Sequence, residues 1–328
     1  MKKILIIPYE VEKSGIPKGP HTFCSSHLEV LQKAGGELVE VVAALPEEAA
    51  QHLADADAIS GFPSTMPQVS LAPHVQWLHS FSAGVDTVLT PAVAASDILV
   101  SNSRGIHKTP IAEHILSFML MFTRDSHTTL RNQDKRLWQK APSLGEVRGK
   151  VVLIVGMGEI GSEAARLSAA FGARVWALSR SLKEKPEFVE RVGVHADLEH
   201  MLHEADFVVI TLPHTDETHH LFNANLFAQM KPSAVVINIG RGGIINEVDL
   251  IEALREGKIA GAGLDVTEIE PLPSTSPLWD MPNVLITPHH SGLSSHYMDR
   301  AVELLARNLE AFLKGEKLPT QVNKTLGY

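Results

Sequence analysis

Three residues in the second half of the chain have side chains suited to moving a proton beside a small anion: Arg241, Glu270 and His289. Arg241 follows an apolar run and stands in Gly240-Arg241-Gly242-Gly243, where the glycines leave its guanidinium unobstructed. A planar fork of donors placed there can clamp a 2-oxo acid through paired hydrogen bonds. His289, next to Pro288, is of the residue type that exchanges a proton near neutral pH. Glu270, in Glu268-Ile269-Glu270-Pro271, can accept from an imidazole and hold its tautomer. Each type also occurs without chemistry: an arginine as a surface charge, a histidine as a satisfied structural group, a glutamate in a solvated loop.

A second constellation is the stretch Gly156-Met157-Gly158-Glu159-Ile160-Gly161, between the apolar run Val151 to Val155 and a small-residue helix carrying Ala164, Ala165, Ala169 and Ala170. The first glycine permits a tight turn, the second lets a pyrophosphate approach the backbone, and the third lets the helix pack close to the strand. The helix N-terminus then faces the phosphates with free N–H groups and a positive dipole end. A glycine trio alone is equally an ordinary turn. A second strand, Arg174 to Leu178, completes a βαβ unit and makes dinucleotide binding the stronger reading. At its end, where a site for NAD carries an acid for the ribose 2′-hydroxyl, stand Ser179 and Arg180. A hydroxyl and a guanidinium suit a 2′-phosphate, so NADP(H) is the preferred cofactor, with NAD(H) possible. The alternative is a solvated arginine.

These residues need strands that end on one edge of a sheet. Apolar runs predict strands over Lys3 to Ile7, Leu38 to Val42, the segment Ala54 to Ser60, Trp77 to Phe81 and Ile98 to Ser101. A polar loop over Glu12 to Pro20 leads to a helix near His27 to Ala34, stopped by Gly35 and Gly36. Pro110 is expected to open a helix with Ile111, Ile115, Phe118, Met119 and Phe122 on one face, and a further helical stretch runs on to Trp138. Later strands are Phe207 to Leu212, ending at Pro213; Ala234 to Ile239, ending at Gly240; Gly261 to Val266, carrying Asp265; and Val284 to Thr287. An amphipathic helix, Met298 to Leu313, is expected to return to the first domain. The fold class is α/β with two doubly wound parallel-sheet domains: a substrate domain of residues 1–101 and 291–328, and a dinucleotide-binding domain of 102–290 inserted into it. Ser82-Ala83-Gly84-Val85-Asp86, at a strand's carboxyl end, has backbone N–H groups that can hold a carboxylate, or is a plain turn.

The 328 residues suffice for two domains, and 44% hydrophobic with 20% charged residues describes a globular protein. A net charge of −9 gives no footprint for nucleic acid, and an anionic substrate must be drawn by local positive groups. A single cysteine, Cys24, excludes an internal disulfide and fits a reducing compartment. The apolar run in MKKILIIPYE is too short for a signal peptide and no segment has the length of a membrane span, so a cytoplasmic location is expected. Seventeen histidines, among them His214, His219, His220 and the pair His289 and His290, raise a metal reading. It is set aside, since no Cys or carboxylate joins them at a familiar ligand spacing.

In sum of motifs the chain resembles the D-isomer-specific 2-hydroxyacid dehydrogenase family over nearly its whole length. The motifs are GMGEIG at Gly156 to Gly161, LPHTDET at Leu212 to Thr218, NIGRGGIINEVDL at Asn238 to Leu250, GLDVTEIEPLP at Gly263 to Pro273 and TPHHSG at Thr287 to Gly292. The resemblance implies a Rossmann cofactor domain in a flavodoxin-like substrate domain, with Arg241 binding substrate and Glu270 and His289 as acid–base pair. It further implies a substrate carboxylate on the backbone of Ala83 and Gly84, and cofactor contacts from the glycine loop, Leu212, Pro213, Ile239, Gly240, Arg241, Asp265 and His289. The missing acid after the second cofactor strand makes the chain look like the NADPH-using glyoxylate and hydroxypyruvate reductases. The residue after the proton donor is usually apolar in the family; here it is His290. A homodimer is expected, with the Ile111 to Phe122 helix and the segment to Trp138 as its contact. Alternatives are a dinucleotide-sensing corepressor and a related dehydrogenase using formate or phosphite.

Overall fold

The computed structural model describes residues 1–12, 19–85, 87–141, 143–180 and 184–325. Most of the expected polar loop, and Asp86 of the turn expected to hold a carboxylate, lie outside the described residues. The chain divides into two compact units, residues 1–106 with 293–328, and residues 107–292.

In the first unit the strands are β1 (Lys2–Ile7), β2 (Glu10–Glu12), β3 (Thr22–Cys24), β4 (Val39–Ala43), β5 (Ala58–Gly61), β6 (Trp77–Ser80) and β7 (Leu99–Asn102). Five form a sheet in the order β4-β1-β5-β6-β7, and every pairing is parallel. Taken in chain order that is 2-1-3-4-5, the flavodoxin-like winding. Ile4 to Ile7 are fully buried, as a run without polar alternation requires when helices cover both faces of a sheet. β2 and β3 form a separate parallel pair. The Ser25–Gly35 and Tyr297–Lys314 helices pack together. Buried His27 joins them: Nδ1 accepts from Cys24 N–H at 2.9 Å, and Nε2 donates to Asp299 Oδ1 at 3.0 Å.

The second unit holds β8 (Val151–Val155), β9 (Arg174–Leu178), β10 (Arg191–Gly193), β11 (Phe207–Ile210), β12 (Val235–Asn238), β13 (Gly261–Leu264) and β14 (Val284–Ile286). Their order is β10-β9-β8-β11-β12-β13-β14, all parallel, which is 3-2-1-4-5-6-7 in chain order. This is the Rossmann winding with one added strand. The order reverses between β8 and β11, and outside the carboxyl ends of such strands an open sheet binds its ligand.

The apolar helix runs Lys108–Thr123, so it begins two residues before Pro110 rather than at it. A proline is tolerated there because the N–H groups of a first turn have no acceptor within the helix. Its apolar face is spent inside the unit: Ile111, Ile115, Phe118 and Met119 are buried, and the helix packs on the Glu159–Ala170 helix. Gly261 and Gly263 let it lie against β13, since a Cβ on either would come within 2.6 Å of Phe122 and 2.8 Å of Phe118. The next helix, Ser126–Asp134, ends short of Trp138. No helix among the described residues is long and apolar enough to cross a membrane.

Candidate active site

β8 delivers its chain straight into the glycine turn. Gly156 has φ +112°, a conformation that L side chains rarely adopt, and its carbonyl accepts from Thr211 Oγ1 at 2.6 Å. Around Gly158 a Cβ would find nothing within 4 Å, whereas on Gly161 it would lie 1.9 Å from the Gly156 carbonyl oxygen. So the second glycine keeps open space at the N-cap of the Glu159–Ala170 helix, and the third allows that helix to close on the strand. Met157 and Ile160 turn inward onto the core. The cradle fits a dinucleotide pyrophosphate in shape and in the N–H groups it offers.

Ser179 and Arg180 follow β9 directly, as the sequence predicts. Arg180 does not stand alone: Nη1 donates to Glu217 Oε2 at 2.8 Å, with both side chains 77% exposed. Glu217 lies in the loop after β11, in the LPHTDET stretch, and nothing in its local pattern marks it as the partner of Arg180. In that loop Thr218 Oγ1 donates to the Pro213 carbonyl at 2.8 Å. On Gly240 a Cβ would stand 2.6 Å from the Leu212 carbonyl oxygen, so the ends of β11 and β12 lie in close contact.

At the end of β12, Asn238 is buried and brackets the turn. Its Oδ1 accepts from Gly240 N–H at 3.0 Å and its Nδ2 donates to the Arg241 carbonyl at 3.0 Å. Gly242 is required next, because a Cβ would meet the Thr267 carbonyl oxygen at 1.8 Å. Arg241 itself is exposed, and Nη1 donates to the Gly240 carbonyl at 2.8 Å.

The closest pairing of predicted groups is His289 Nδ1 with Glu270 Oε2, at 2.7 Å. An ionised carboxylate only accepts, so Nδ1 donates and Nε2 is the nitrogen left to exchange a proton. The other carboxylate oxygen, Glu270 Oε1, accepts from Thr267 N–H at 3.1 Å, which fixes the acid within its own loop. His289 has φ +50°, an uncommon left-handed conformation, and its N–H donates to the carbonyls of Asp265 at 2.9 Å and Thr287 at 3.0 Å. Asp265 is buried, and its Oδ1 accepts from Thr287 Oγ1 at 2.6 Å and from His290 N–H at 3.0 Å. Ser291 N–H is shared between its two oxygens at 3.2 and 3.0 Å. Burial opposes that charge, but the hydrogen bonds from Ser291, Thr287 and the His290 backbone outweigh it and hold the carboxyl below its usual range.

In the first unit, Ala83 and Gly84 are exposed after β6, and the Ala83 carbonyl accepts from Asn102 Nδ2 at 2.6 Å. Among the described residues His114, Asp265 and His290 place one ligand atom each within 4.8 Å of one another. The Asp265 carboxylate already accepts from three donor groups, three of the four contacts falling on Oδ1. The histidines named in the sequence pair otherwise: His214 Nε2 lies 3.0 Å from His219 Nδ1, and His220 Nε2 lies 2.7 Å from Glu268 Oε1. His290 meets the ring of His114 edge on, with centroids 5.6 Å apart.

Residues 116–291 match the model of the D-isomer specific 2-hydroxyacid dehydrogenase NAD binding domain. The glyoxylate reductase of Thermococcus gammatolerans is 36% identical over 262 residues, which cover 77% of this chain and 78% of that protein. A D-isomer specific 2-hydroxyacid dehydrogenase family protein from Aeromonas salmonicida superposes with a TM-score of 0.83 at 33% identity, over 98% of this chain and 99% of that one. The NADPH-dependent glyoxylate/hydroxypyruvate reductase of Sinorhizobium meliloti, in complex with NADP and sulfate, gives 0.76 at 31% identity over the whole of both chains. With these matches on a Rossmann sheet that carries the family's motifs, the chain belongs to the D-isomer specific 2-hydroxyacid dehydrogenases and is an NAD(P)-dependent enzyme of that family.

Proposed function

We propose that this enzyme reduces a small 2-oxo acid of the glyoxylate or hydroxypyruvate kind to the D-2-hydroxy acid, preferring NADPH to NADH. The observation that carries the reading is the 2.7 Å pair of His289 Nδ1 and Glu270 Oε2, in loops that follow β14 and β13 on the strand edge of the glycine loop. A nicotinamide dinucleotide on that loop supplies the hydride that substrate C2 receives. His289 donates the proton from Nε2 to the alkoxide oxygen, and Glu270 keeps the imidazole in the orientation and tautomer that allow it. Arg241 binds the substrate and stabilises charge developing on oxygen. The backbone of Ala83 and Gly84 receives the substrate carboxylate. The names of the Thermococcus and Sinorhizobium relatives support the substrate class, and Ser179 with Arg180 supports the 2′-phosphate. The working unit is a homodimer.

Initial rates with a panel of small 2-oxo acids, each with NADPH and NADH, test the proposal. The expected result is turnover of glyoxylate or hydroxypyruvate with a higher kcat/KM for NADPH. Turnover of none of the panel overturns it, and oxidation of formate or phosphite in its place would redirect it to another donor.

A further inference from the structure

The loop that carries His289 is held from a direction the reaction itself does not use. His289 sits at φ +50°. A non-glycine residue in that region persists only where its surroundings over-determine it. The determinants are the Asp265 backbone, which takes the N–H of His289, and the Asp265 carboxylate, which takes those of His290 and Ser291. That carboxylate is fixed by the Thr287 hydroxyl at 2.6 Å. Because the carboxylate is an acceptor only, Thr287 must donate to it, and the lone pairs of the same hydroxyl oxygen remain to accept.

His114 fills that role. Its Nε2 stands 3.0 Å from Thr287 Oγ1, across 173 residues of sequence. Burial lowers its affinity for a proton, an effect opposed by Asp265 and reinforced by His290, so the ring is neutral at pH 7 and carries its one hydrogen on Nε2. The ring is wedged edge on against Phe118 at 4.7 Å, on a helix that the small Gly261 and Gly263 admit to β13. Everything in the chain from His114 through Thr287 and Asp265 to the loop belongs to one compact unit.

We propose that His114 is a positioning residue for proton transfer: by donating to Thr287 it locks the Asp265 carboxylate onto the 290–291 backbone and so keeps His289 aimed with Nδ1 on Glu270. The inference rests on His289 being the proton donor. Thr287→Val and His114→Phe remove the hydrogen-bonding groups and keep the bulk, whereas Thr287→Ser and His114→Gln keep a donor. The first two are expected to lose roughly 10- to 100-fold in kcat with altered pH dependence, while KM for the 2-oxo acid and the NADPH dissociation constant stay within about threefold. The latter two are expected to stay within about threefold of wild type in kcat, with its pH profile. NADPH binding by fluorescence checks that each variant is folded. Wild-type kcat and pH profile in Thr287→Val and His114→Phe, in an enzyme that His289→Ala inactivates, overturn the positioning role alone. Equal losses in all four variants overturn it too, since then bulk and not donation matters. Retained turnover in His289→Ala removes the proton donor and this inference with it.

Discussion

At the scale of single residues the proposed chemistry turns on one imidazole and what holds it. If His289 is the proton donor, His289→Ala lowers kcat by roughly 10²–10⁴ and leaves dinucleotide binding nearly intact, which steady-state rates and a fluorescence titration check together. Glu270→Gln keeps the shape of the contact and removes its charge, so it is expected to displace one limb of the pH–rate profile without abolishing binding. Cofactor choice is also set by side chains, and here Glu217 qualifies what Ser179 and Arg180 suggest. Arg180 already has an anionic partner at 2.8 Å, but the pair is mostly exposed and therefore weak, so a 2′-phosphate can displace the carboxylate. The NADPH preference is accordingly expected to be modest, on the order of tenfold or less rather than a hundredfold. Ser179→Asp with Arg180→Ala should reverse it, because a carboxylate accepts from the 2′-hydroxyl and repels a phosphate. The measurement is kcat/KM with both cofactors in wild type and double mutant. A wild type that favours NADH means another group reads the ribose.

At the scale of elements, β6 shows how a strand can carry polar residues through a core. His79 is buried, and burial pushes its imidazole down to about 3. Trp77 Nε1 donates to Ser101 Oγ at 2.8 Å, so the Ser101 hydroxyl donates onward to His79 Nδ1 at 2.7 Å. The Ser103 hydroxyl donates to the Ser80 carbonyl at 3.1 Å and accepts from His79 Nε2 at 3.3 Å. The folded state thus holds this histidine neutral while the unfolded chain protonates it near 6.5. Its contribution to stability is whole above pH 6.5 and falls as pH drops from there toward 3, by about 1.4 kcal/mol per unit. Urea unfolding at pH 6.5 and pH 5 should differ by about 2 kcal/mol on this account, and His79→Leu should flatten the difference. An unchanged slope in the variant would assign the acid sensitivity elsewhere. The sequence could not announce this network, because β6 is buried at all four positions and shows no alternation that would single out its polar residues. The same limit explains what else was legible. β8 and β9 end where their apolar runs end, and parallel sheets follow from βα alternation, whereas the two winding orders are implied only by the family resemblance. β2, β3 and β10 have three residues each, too few to display a period. The pairing of His114 with Thr287, or of Arg180 with Glu217, exists only after the sheet has brought distant segments together.

At the scale of the whole molecule the open question is what covers the segment after the Ser126–Asp134 helix. The sequence offers one contact surface for a dimer, in two parts, and of these the apolar face of the Lys108–Thr123 helix is buried within its own unit. The other remains: Leu130, Leu137 and Leu144 are exposed, and Trp138 is 98% exposed. An indole left in water forgoes about 4–6 kcal/mol at 25 cal/mol per Å² over the roughly 150–250 Å² an aromatic side chain can bury. In a twofold dimer each copy presents the same segment, so that gain is made twice, against the translational and rotational freedom that association removes. Light scattering at micromolar concentration is expected to give twice the mass of the chain, and Trp138→Glu is expected to shift it toward the monomer while NADPH still binds. A wild-type monomer under those conditions removes the dimer. A dimer that Trp138→Glu leaves unchanged moves the interface to some other part of the surface.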